Sequence, residues 1–334
     1  ITLKEAPTKT YISDEDEVDV DLGVQISNGK WLRDTLGQLK NPSKIRNKAK
    51  PKYLKATLRP YQKNGYNWLN QMNDLGFGAC LADDMGLGKT IQVISFLEKM
   101  YETNKKSHVL LIVPASLLGN WSKEIDKFAP RMTYHILHGK TNILDEDCFA
   151  TITTYGMALR MECLQERVWD CLILDEAQAI KNPGTKQTRA IKKIPSQMRI
   201  AMTGTPIEND LSNLWSLFDF LNKGLLGSAT DFKNYTKKVQ AYPEYMSKLK
   251  MMVSPFILRR LKTDKSIISD LPDKMEITEH VDLSKRQIVL YRKEVEKAEE
   301  LILESEGMER RGIVLGLLTR LKQICNHPDQ FIHD

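Results

Sequence analysis

A glycine-rich segment with the composition of a phosphate-binding loop occupies residues 83–90 and reads DDMGLGKT. Its glycines let the backbone turn so that N–H groups point at phosphate oxygens, and the helical pattern that begins at Thr90 adds a favourable dipole. In such loops the lysine amino group reaches the β- and γ-phosphates, and the threonine hydroxyl ligates Mg²⁺. The segment predicts ATP and Mg²⁺ as cofactors, with ATP bound by Asp84, Met85, Gly86, Leu87, Gly88, Lys89 and Thr90.

The match to the phosphate-loop pattern has one departure. The strict pattern places glycine six residues before the lysine, where this chain has Asp83. On this segment alone, an ordinary glycine-rich turn between a strand and a helix therefore stays open.

Two carboxylates give a second indication of the same chemistry. Asp175 and Glu176 directly follow the apolar run Cys171–Leu174, and burying such a pair is costly unless the charges have partners or work. In a parallel sheet this strand end and the phosphate loop emerge at the same edge, where ligands bind. We expect Asp175, with Thr90, to hold Mg²⁺ and Glu176 to orient or deprotonate the attacking water. Glu176, Asp175 and Lys89 are the predicted catalytic residues, against the alternative of an Asp-Glu pair that only caps a helix.

Another apolar run, Arg199–Met202, ends in the sequence TGTP at residues 203–206. Alone it would be an ordinary turn. Beside the other two motifs it is typical of an element that senses the γ-phosphate and transmits its state. We expect this coupling from Gln178, Thr203, Gly204 and Thr205.

The elements that must position these residues follow Pro51, where short apolar runs alternate with helical patterns. This alternation predicts right-handed crossovers and an α/β fold with a doubly wound, mostly parallel sheet. From about Ile207 the pattern turns helical, and apolar residues recur along one face of a helix between Leu211 and Leu221. The predicted strands are Ala79–Ala82, Val109–Val113, Ala150–Thr153, Cys171–Leu174 and Arg199–Met202.

Composition limits the class of protein. The 334 residues are 41% hydrophobic, which is ordinary for a globular protein, and no run approaches the ~20 apolar residues that span a bilayer, so no membrane partner is expected. The five cysteines include no C-x-x-C pair, which fits a reducing compartment. The net charge is +6, with an acidic block at 14–21 and a basic stretch at 44–63 that are typical of a solvated linker. The first residue, Ile1, indicates a fragment or a processed form.

Together these residues resemble the Swi/Snf family of superfamily-two ATPases, the DNA translocases related to helicases. The resemblance spans roughly residues 55–330, and the sequence around Gln178 is more similar to prokaryotic members than to most nucleosome remodellers. It implies a RecA-like P-loop lobe with a helical protrusion, and ATP contacts from Gln62 and Arg59 in the adenine-reading motif. The matching segments are 58–62, 83–90, 111–121, 153–155, 175–178, 180–183, 203–209, 256–260 and 324–328.

The resemblance also implies what the motor acts on. Family members move along double-stranded DNA, and some strip or remodel a DNA-bound protein cargo. The compartment would be the nucleoid-associated cytoplasm in a prokaryote and the nucleus in a eukaryote. Because a translocase must hold any sequence, its contacts should go to phosphates. The expected nucleic-acid contacts are Ser116, Thr153, Thr154, Lys181 and Asn182.

The family has a second RecA-like lobe whose arginines complete the ATP site, and only six residues follow Pro328 here. We therefore expect this chain to hold the first lobe, to hydrolyse ATP very slowly alone, and to need the second lobe of the full-length chain. The expected domains are an N-terminal flanking segment at 1–50, the RecA-like ATP-binding lobe at 51–210, the helical protrusion at 211–268, and the inter-lobe connection with the start of a second helical insertion at 269–334.

Other functions stay open at this point. A motor directed at RNA polymerase or at RNA is the close alternative. A nucleotide-dependent binding module is disfavoured because the ATP-site residues are intact, and a metabolic kinase because the helical second half offers no substrate pocket. Trp121 and Trp215 are expected to pack in the core, whereas Arg259 and Arg260 either belong to a family signature or close a helix C-terminus.

Overall fold

A computed structural model of the chain describes residues 47–139, 143–204, 211–264, 279–303 and 305–332. The chain divides after Leu271 into two compact units, so the described residues up to 264 belong to the first and those from 279 to the second. The predicted flanking segment at 1–50 lies outside the described residues except for positions 47–50, and Thr205 also lies outside them.

Seven strands form one sheet in the first unit, and every described pairing between them is parallel. The strands are β1 (Ala79–Leu81), β2 (Val109–Val113), β3 (Tyr134–Leu137), β4 (Ala150–Thr154), β5 (Trp169–Leu174), β6 (Ser196–Met202) and β7 (Ile257–Leu258). Their order across the sheet is β3-β4-β2-β5-β6-β1-β7. This arrangement confirms the predicted α/β class with a parallel sheet.

Two of the strands, β3 and β7, are absent from the sequence prediction. Both lie at the edges of the sheet. Only Leu137 is fully buried in β3, and β7 has just two residues, both half-buried. Neither strand therefore has the continuous apolar run on which the prediction depends.

Both faces of the sheet are covered, as the alternation along β2 shows. Val109, Leu111 and Val113 enter one hydrophobic core cluster, whereas Leu110 and Ile112 enter the other. A strand buried on both faces has to be apolar throughout, which explains why β2 could be predicted from its sequence. The covering helices are α1 (Pro60–Leu75), α2 (Lys89–Thr103), α3 (Leu118–Phe128), α4 (Tyr155–Arg160) and α5 (Lys186–Lys193).

Between β6 and β7, the described residues 211–256 contain the helices α6 (Leu211–Leu221), α7 (Ala229–Ala241) and α8 (Pro243–Val253). The first of them ends at Leu221, the last residue of its predicted apolar face. Its C-terminal end is tied to the start of β1, because the Asn222 side chain accepts from the Gly78 backbone N–H at 2.8 Å and donates to the Gly78 carbonyl at 3.1 Å. This helix is therefore anchored beside the strand that leads into the phosphate loop.

The second unit contains α9 (Lys285–Leu303), α10 (Gly307–Asn326) and α11 (Pro328–Ile332). The buried Glu294 of α9 forms an ion pair with Arg320 of α10 at 3.2 Å, and Gln287 donates to the carbonyl of Ile324 at 2.9 Å. These contacts hold the two long helices side by side. Within the described parts of both units, no helix combines the length and the apolar character needed to cross a membrane.

Candidate active site

The phosphate loop joins β1 to α2, which begins at Lys89. Gly86 and Gly88 have φ angles of 85° and 75°, in the left-handed region that glycine enters without steric penalty. Glycine is required at position 88 for a steric reason as well, because a Cβ there would lie 2.5 Å from Nε2 of Gln62. Met85, at the tip of the loop, is exposed. The loop thus presents its backbone at a helix N-terminus, which is the arrangement that binds phosphate groups.

Asp83 opens this loop and is fully buried. Its carboxylate forms an ion pair with Arg260, whose side chain is also buried. Arg260 Nε donates to Oδ1 of Asp83 at 2.8 Å, while Nη2 donates to Oδ2 and to Oε1 of Gln92, the latter at 2.6 Å. Lys89 Nζ donates to the backbone oxygen of Asp83 at 2.7 Å. Burying a carboxylate is tolerated when it is paired and hydrogen-bonded. Asp83, which stands where the strict pattern has glycine, is therefore accommodated by its ion pair with Arg260.

The position of Arg260 removes one of the two alternatives that the sequence leaves open for it. Arg259 and Arg260 follow the strand β7 instead of closing a helix. The backbone N–H of Arg260 donates to Asp83 Oδ1 at 3.1 Å. Both the main chain and the side chain of Arg260 therefore bind the same carboxylate. Arg260 therefore belongs to the support of the phosphate loop.

Asp175 follows β5 and is buried at the carboxyl edge of the sheet. Trp121 Nε1 donates to its Oδ2 at 2.8 Å, and the backbone N–H of Glu176 donates to its Oδ1 at 3.0 Å. Burial raises the pKa of Asp175, and the negative charge of Glu176 raises it further. The Trp121 hydrogen bond and the positive charge of Lys89 act in the opposite direction and lower the Asp175 pKa. The lysine of the phosphate loop and this carboxylate therefore share one electrostatic environment.

Glu176 has an unusual backbone. It is the one non-glycine residue of the described chain with a positive φ, at φ 52° and ψ 55°, a conformation that costs roughly 1–2 kcal/mol. Such strain occurs preferentially at functional sites. Tyr155 donates its hydroxyl hydrogen to the carbonyl of Asp175 at 2.7 Å, which fixes the backbone at this point, and burial raises the pKa of Tyr155 well above its ordinary value so that the donor stays protonated.

A chain of hydrogen bonds leads from Glu176 to the end of β6. Gln178 Nε2 donates to Glu176 Oε2 at 2.7 Å, and the Thr203 hydroxyl donates to Gln178 Oε1 at 3.1 Å. The Thr203 backbone N–H donates to the Leu81 carbonyl at 3.2 Å, next to the phosphate loop. Because β5, β6 and β1 are neighbours in the sheet, the structure brings the phosphate loop, the Asp175–Glu176 pair and the described start of the third motif, Thr203 and Gly204, to one edge. Gly204 follows Thr203 directly and is half-buried.

A cleft of about 360 Å³ opens beside Gly88 and Thr90, a volume within the range of small-molecule sites. Gln62 lines it and donates through Nε2 to the Leu87 carbonyl at 3.3 Å. Its Oε1 accepts from the backbone N–H of Arg59, the exposed residue that precedes α1, at 3.0 Å. The remaining lining residues are Ala56, Thr57, Ile91, Asn120, Glu124 and Phe128.

The predicted nucleic-acid contacts lie at or beyond the carboxyl ends of three adjacent strands: Thr153 and Thr154 end β4, Ser116 follows β2, and Lys181 and Asn182 follow β5. Ser116, Lys181 and Asn182 are exposed. Thr154 is buried, and its hydroxyl oxygen accepts from the Met157 N–H at 3.3 Å to cap α4. Thr153 is fully buried, and its hydroxyl donates to the Leu137 carbonyl at 2.8 Å. The Thr153 hydroxyl thus faces the sheet, and only the first three side chains present polar groups to solvent.

Sequence reasoning missed the residues that hold the site together. Trp121 was expected only to pack, and it is indeed fully buried in the core, but its indole also contacts Asp175. Tyr155 and Arg260 stand within matching segments without having an assigned role, and Gln92 stands in none. No local signal marks these roles, because the partners that define them are distant along the chain: Trp121 and Asp175 are 54 residues apart, and Arg260 and Asp83 are 177 residues apart.

Comparison with known proteins agrees with this geometry. The family model that describes the SNF2-related domain matches residues 61–330 of this sequence. In Bacillus subtilis, YwqA, whose name describes an ATP-dependent helicase/translocase, is 40% identical over 338 residues, which is 97% of this chain and 37% of YwqA. The chromatin-remodeling ATPase INO80 of Candida albicans is 33% identical over 313 residues, which is 84% of this chain and 22% of INO80.

A solved structure extends the likeness to three dimensions. The Sulfolobus solfataricus SWI2/SNF2 ATPase core in complex with dsDNA matches with a TM-score of 0.65 and 45% sequence identity, over 84% of this chain and 61% of that one. The seven-stranded parallel sheet with its flanking helices is accordingly the RecA-like fold of that core. This chain belongs to the family of the SNF2-related domain.

Proposed function

We propose that the first unit is the first ATPase lobe of an ATP-dependent double-stranded DNA translocase or remodeller. The observation that carries this proposal is the convergence of three motifs at the carboxyl edge of β5, β6 and β1. Nucleotide hydrolysis with mechanical coupling requires the parts found here: a phosphate loop, a carboxylate pair of which Asp175 is buried and Glu176 half-buried, and a threonine linked to Glu176 through Gln178.

Mg²⁺ fits the residues at this edge. The available donors are a carboxylate oxygen of Asp175 and the hydroxyl of Thr90, which are the hard oxygen ligands that this ion prefers. No cluster of three or more His, Cys, Asp or Glu side chains that could hold a metal occurs within the described residues. That agrees with an ion held by one or two protein oxygens together with water and substrate phosphates. When bound, the ion would neutralise charge on the β- and γ-phosphates.

The remaining steps fall to side chains of this chain. Lys89 binds the phosphates, and the backbone around Gly86 and Gly88 orients them. Glu176 orients the attacking water and accepts its proton, while Gln178 restrains the Glu176 carboxylate through the 2.7 Å hydrogen bond. Any movement of the Gln178 amide would reach Thr203 through the 3.1 Å contact, which is how nucleotide state would be transmitted.

The cleft beside Gly88 suits the nucleoside. Gln62 stands at its wall with an amide that both donates and accepts, which is the chemistry needed to read the edge of an adenine. Arg59 stands at the adjoining helix start, where its cation can approach the nucleotide. We assign ATP, with its base on this side and its phosphates over the loop, as the ligand.

Action on double-stranded DNA is supported by two observations. The Sulfolobus core, 45% identical to this chain, was solved with dsDNA, and the exposed Ser116, Lys181 and Asn182 follow two adjacent strands, Ser116 after β2 and the other two after β5. Such contacts would go to phosphates and would be sensitive to salt. The chain spans 37% of YwqA, and we infer that arginines of a second RecA-like lobe complete the hydrolytic site. A DNA-bound protein would be the cargo.

Nucleotide binding gives the first test. Lys89→Ala should abolish binding of a fluorescent ATP analogue by this chain, whereas Lys250→Ala, an exposed lysine of α8, should bind as the unaltered chain does. An unchanged dissociation constant in the Lys89 variant would refute the assignment of the phosphate loop.

The nucleic acid is tested with the full-length protein. Duplex DNA should stimulate its ATPase activity more than single-stranded DNA or RNA. If RNA or single strands stimulate best, the RNA-directed motor replaces the translocase. Residues 1–334 alone should turn over slowly with any activator, because a transition-state arginine contributes about 10³–10⁵ in rate.

A further inference from the structure

The chain that leaves β7 runs alongside the phosphate loop. The Ala82 N–H donates to the Leu258 carbonyl at 2.7 Å, and the Asp84 N–H donates to the Arg260 carbonyl at 3.0 Å. The Lys262 N–H then donates to Oδ2 of Asp84 at 3.0 Å. Three successive contacts therefore align residues 258–262 with the entrance of the loop. The last of these residues, Lys262, lies four residues beyond the end of β7 at Leu258.

This alignment is held rigidly at its centre. Arg260 is buried, and its guanidinium donates hydrogen bonds to Asp83 and Gln92. The segment therefore cannot slide along the loop without breaking a buried ion pair. Leaving one charge of such a pair uncompensated is strongly unfavourable. The next residues along the chain consequently have a fixed starting point beside the loop.

Lys262 uses that starting point to reach the loop itself. Its Nζ lies 2.8 Å, and its Cε 3.3 Å, from the position that a Cβ on Gly86 would occupy. The side chain is exposed, and its ammonium has no ion pair with any of the described residues. An exposed cation that has no ion pair among the described residues thus lies directly against the backbone that is to bind phosphate.

We propose that Lys262 is a second phosphate-binding lysine, which contacts the β- and γ-phosphates of the bound nucleotide together with Lys89. The inference rests on the proposed function of the phosphate loop. It also explains the local charges, because the carboxylate of Asp84 stands at the same place and would repel a polyphosphate without a cation beside it. An ammonium on a flexible stem suits phosphate as a point charge.

The test compares nucleotides that differ only in phosphate number. Lys262→Met keeps the length of the side chain and removes its charge, so affinity for ATP should fall about ten-fold or more, with a smaller loss for ADP and none for AMP. Lys262→Arg should retain most of the ATP affinity. Lys250→Met serves as the matched control because it removes one exposed lysine charge elsewhere in the same unit, and it should change none of the three affinities.

Each outcome bears on a different claim. An equal loss for all three nucleotides, or a loss accompanied by a lower unfolding temperature that Lys262→Arg does not rescue, would show that Lys262 only supports the fold and would overturn the inference. Unchanged ATP affinity in Lys262→Met would overturn it as well, provided that Lys89→Ala abolishes binding. If Lys89→Ala also binds ATP normally, the proposed function itself fails.

Discussion

Trp121→Phe should change the pH dependence of Mg²⁺-nucleotide binding while leaving the core packed. The variant removes one hydrogen bond, the 2.8 Å donation from the indole Nε1 to Oδ2 of Asp175, and keeps an aromatic ring in a fully buried position. A hydrogen bond to an ionised group contributes about 1.5–3 kcal/mol, and one pKa unit corresponds to about 1.4 kcal/mol.

The direction follows from the charges around Asp175. Burial already raises its pKa, and the Trp121 hydrogen bond opposes that rise by stabilising the ionised carboxylate. Without the bond the carboxyl group holds its proton to higher pH, and a protonated carboxyl group is a poor ligand for Mg²⁺. Loss of a hydrogen bond of about 1.5–3 kcal/mol to the ionised form should therefore move the midpoint at which Mg²⁺-dependent nucleotide binding appears to higher pH.

Fluorescent-nucleotide titrations from pH 5 to pH 8.5, with Mg²⁺ and with a chelator, would measure this midpoint. Trp169→Phe is the matched control, since Trp169 is equally buried and donates one hydrogen bond, at 2.9 Å to the Leu164 carbonyl, away from the carboxylates. If both variants show the same midpoint as the unaltered chain, the hydrogen bond does not govern the ionisation of Asp175 and the reasoning is wrong.

Three other outcomes follow from the structure. Glu176→Gln should lower ATP hydrolysis by the full-length protein by about 10²–10⁴-fold with nucleotide affinity nearly unchanged, as single-turnover and binding assays would show; comparable rates would contradict its role as base. Lys181→Ala should reduce the slope of log K against log salt for DNA binding by about 0.9, and an identical slope would remove this residue from the DNA contacts. Glu98 is buried with no hydrogen-bond partner among the described residues, and burial raises its pKa above the ordinary 4.5. The folded state therefore holds this proton more tightly than the unfolded chain, so stability falls as pH rises above 4.5 through the raised pKa. Glu98→Gln should accordingly raise the unfolding temperature at pH 8 and not at pH 4.

The sequence predicts the centre of the fold better than its margins. β2 is buried on both faces and is apolar throughout, and β5 ends in the apolar run Cys171–Leu174, whereas the edge strand β7 is two residues long and is too short to be predicted from an apolar run. The same contrast holds in the site. Lys89, Asp175 and Glu176 are recognisable because their chemistry needs particular residues at particular spacings. Trp121 and Arg260 escape recognition because their roles depend on partners that only the tertiary structure brings close.

The Asp83–Arg260 ion pair also has a consequence for how the protein is made. Its members are 177 residues apart, and a ribosome adds ~5–20 residues per second. The carboxylate is therefore synthesised on the order of ten to thirty-five seconds before its partner. Until then, closing the core around β1 would bury an unpaired charge, so this part of the lobe should mature late, after the helices that precede β7 have left the ribosome. Expression of a shortened lobe faces the same limit. A piece that stops at the end of β6 contains Asp83 but lacks Arg260, whose guanidinium makes the burial of the Asp83 carboxylate tolerable. We expect such a piece to be insoluble.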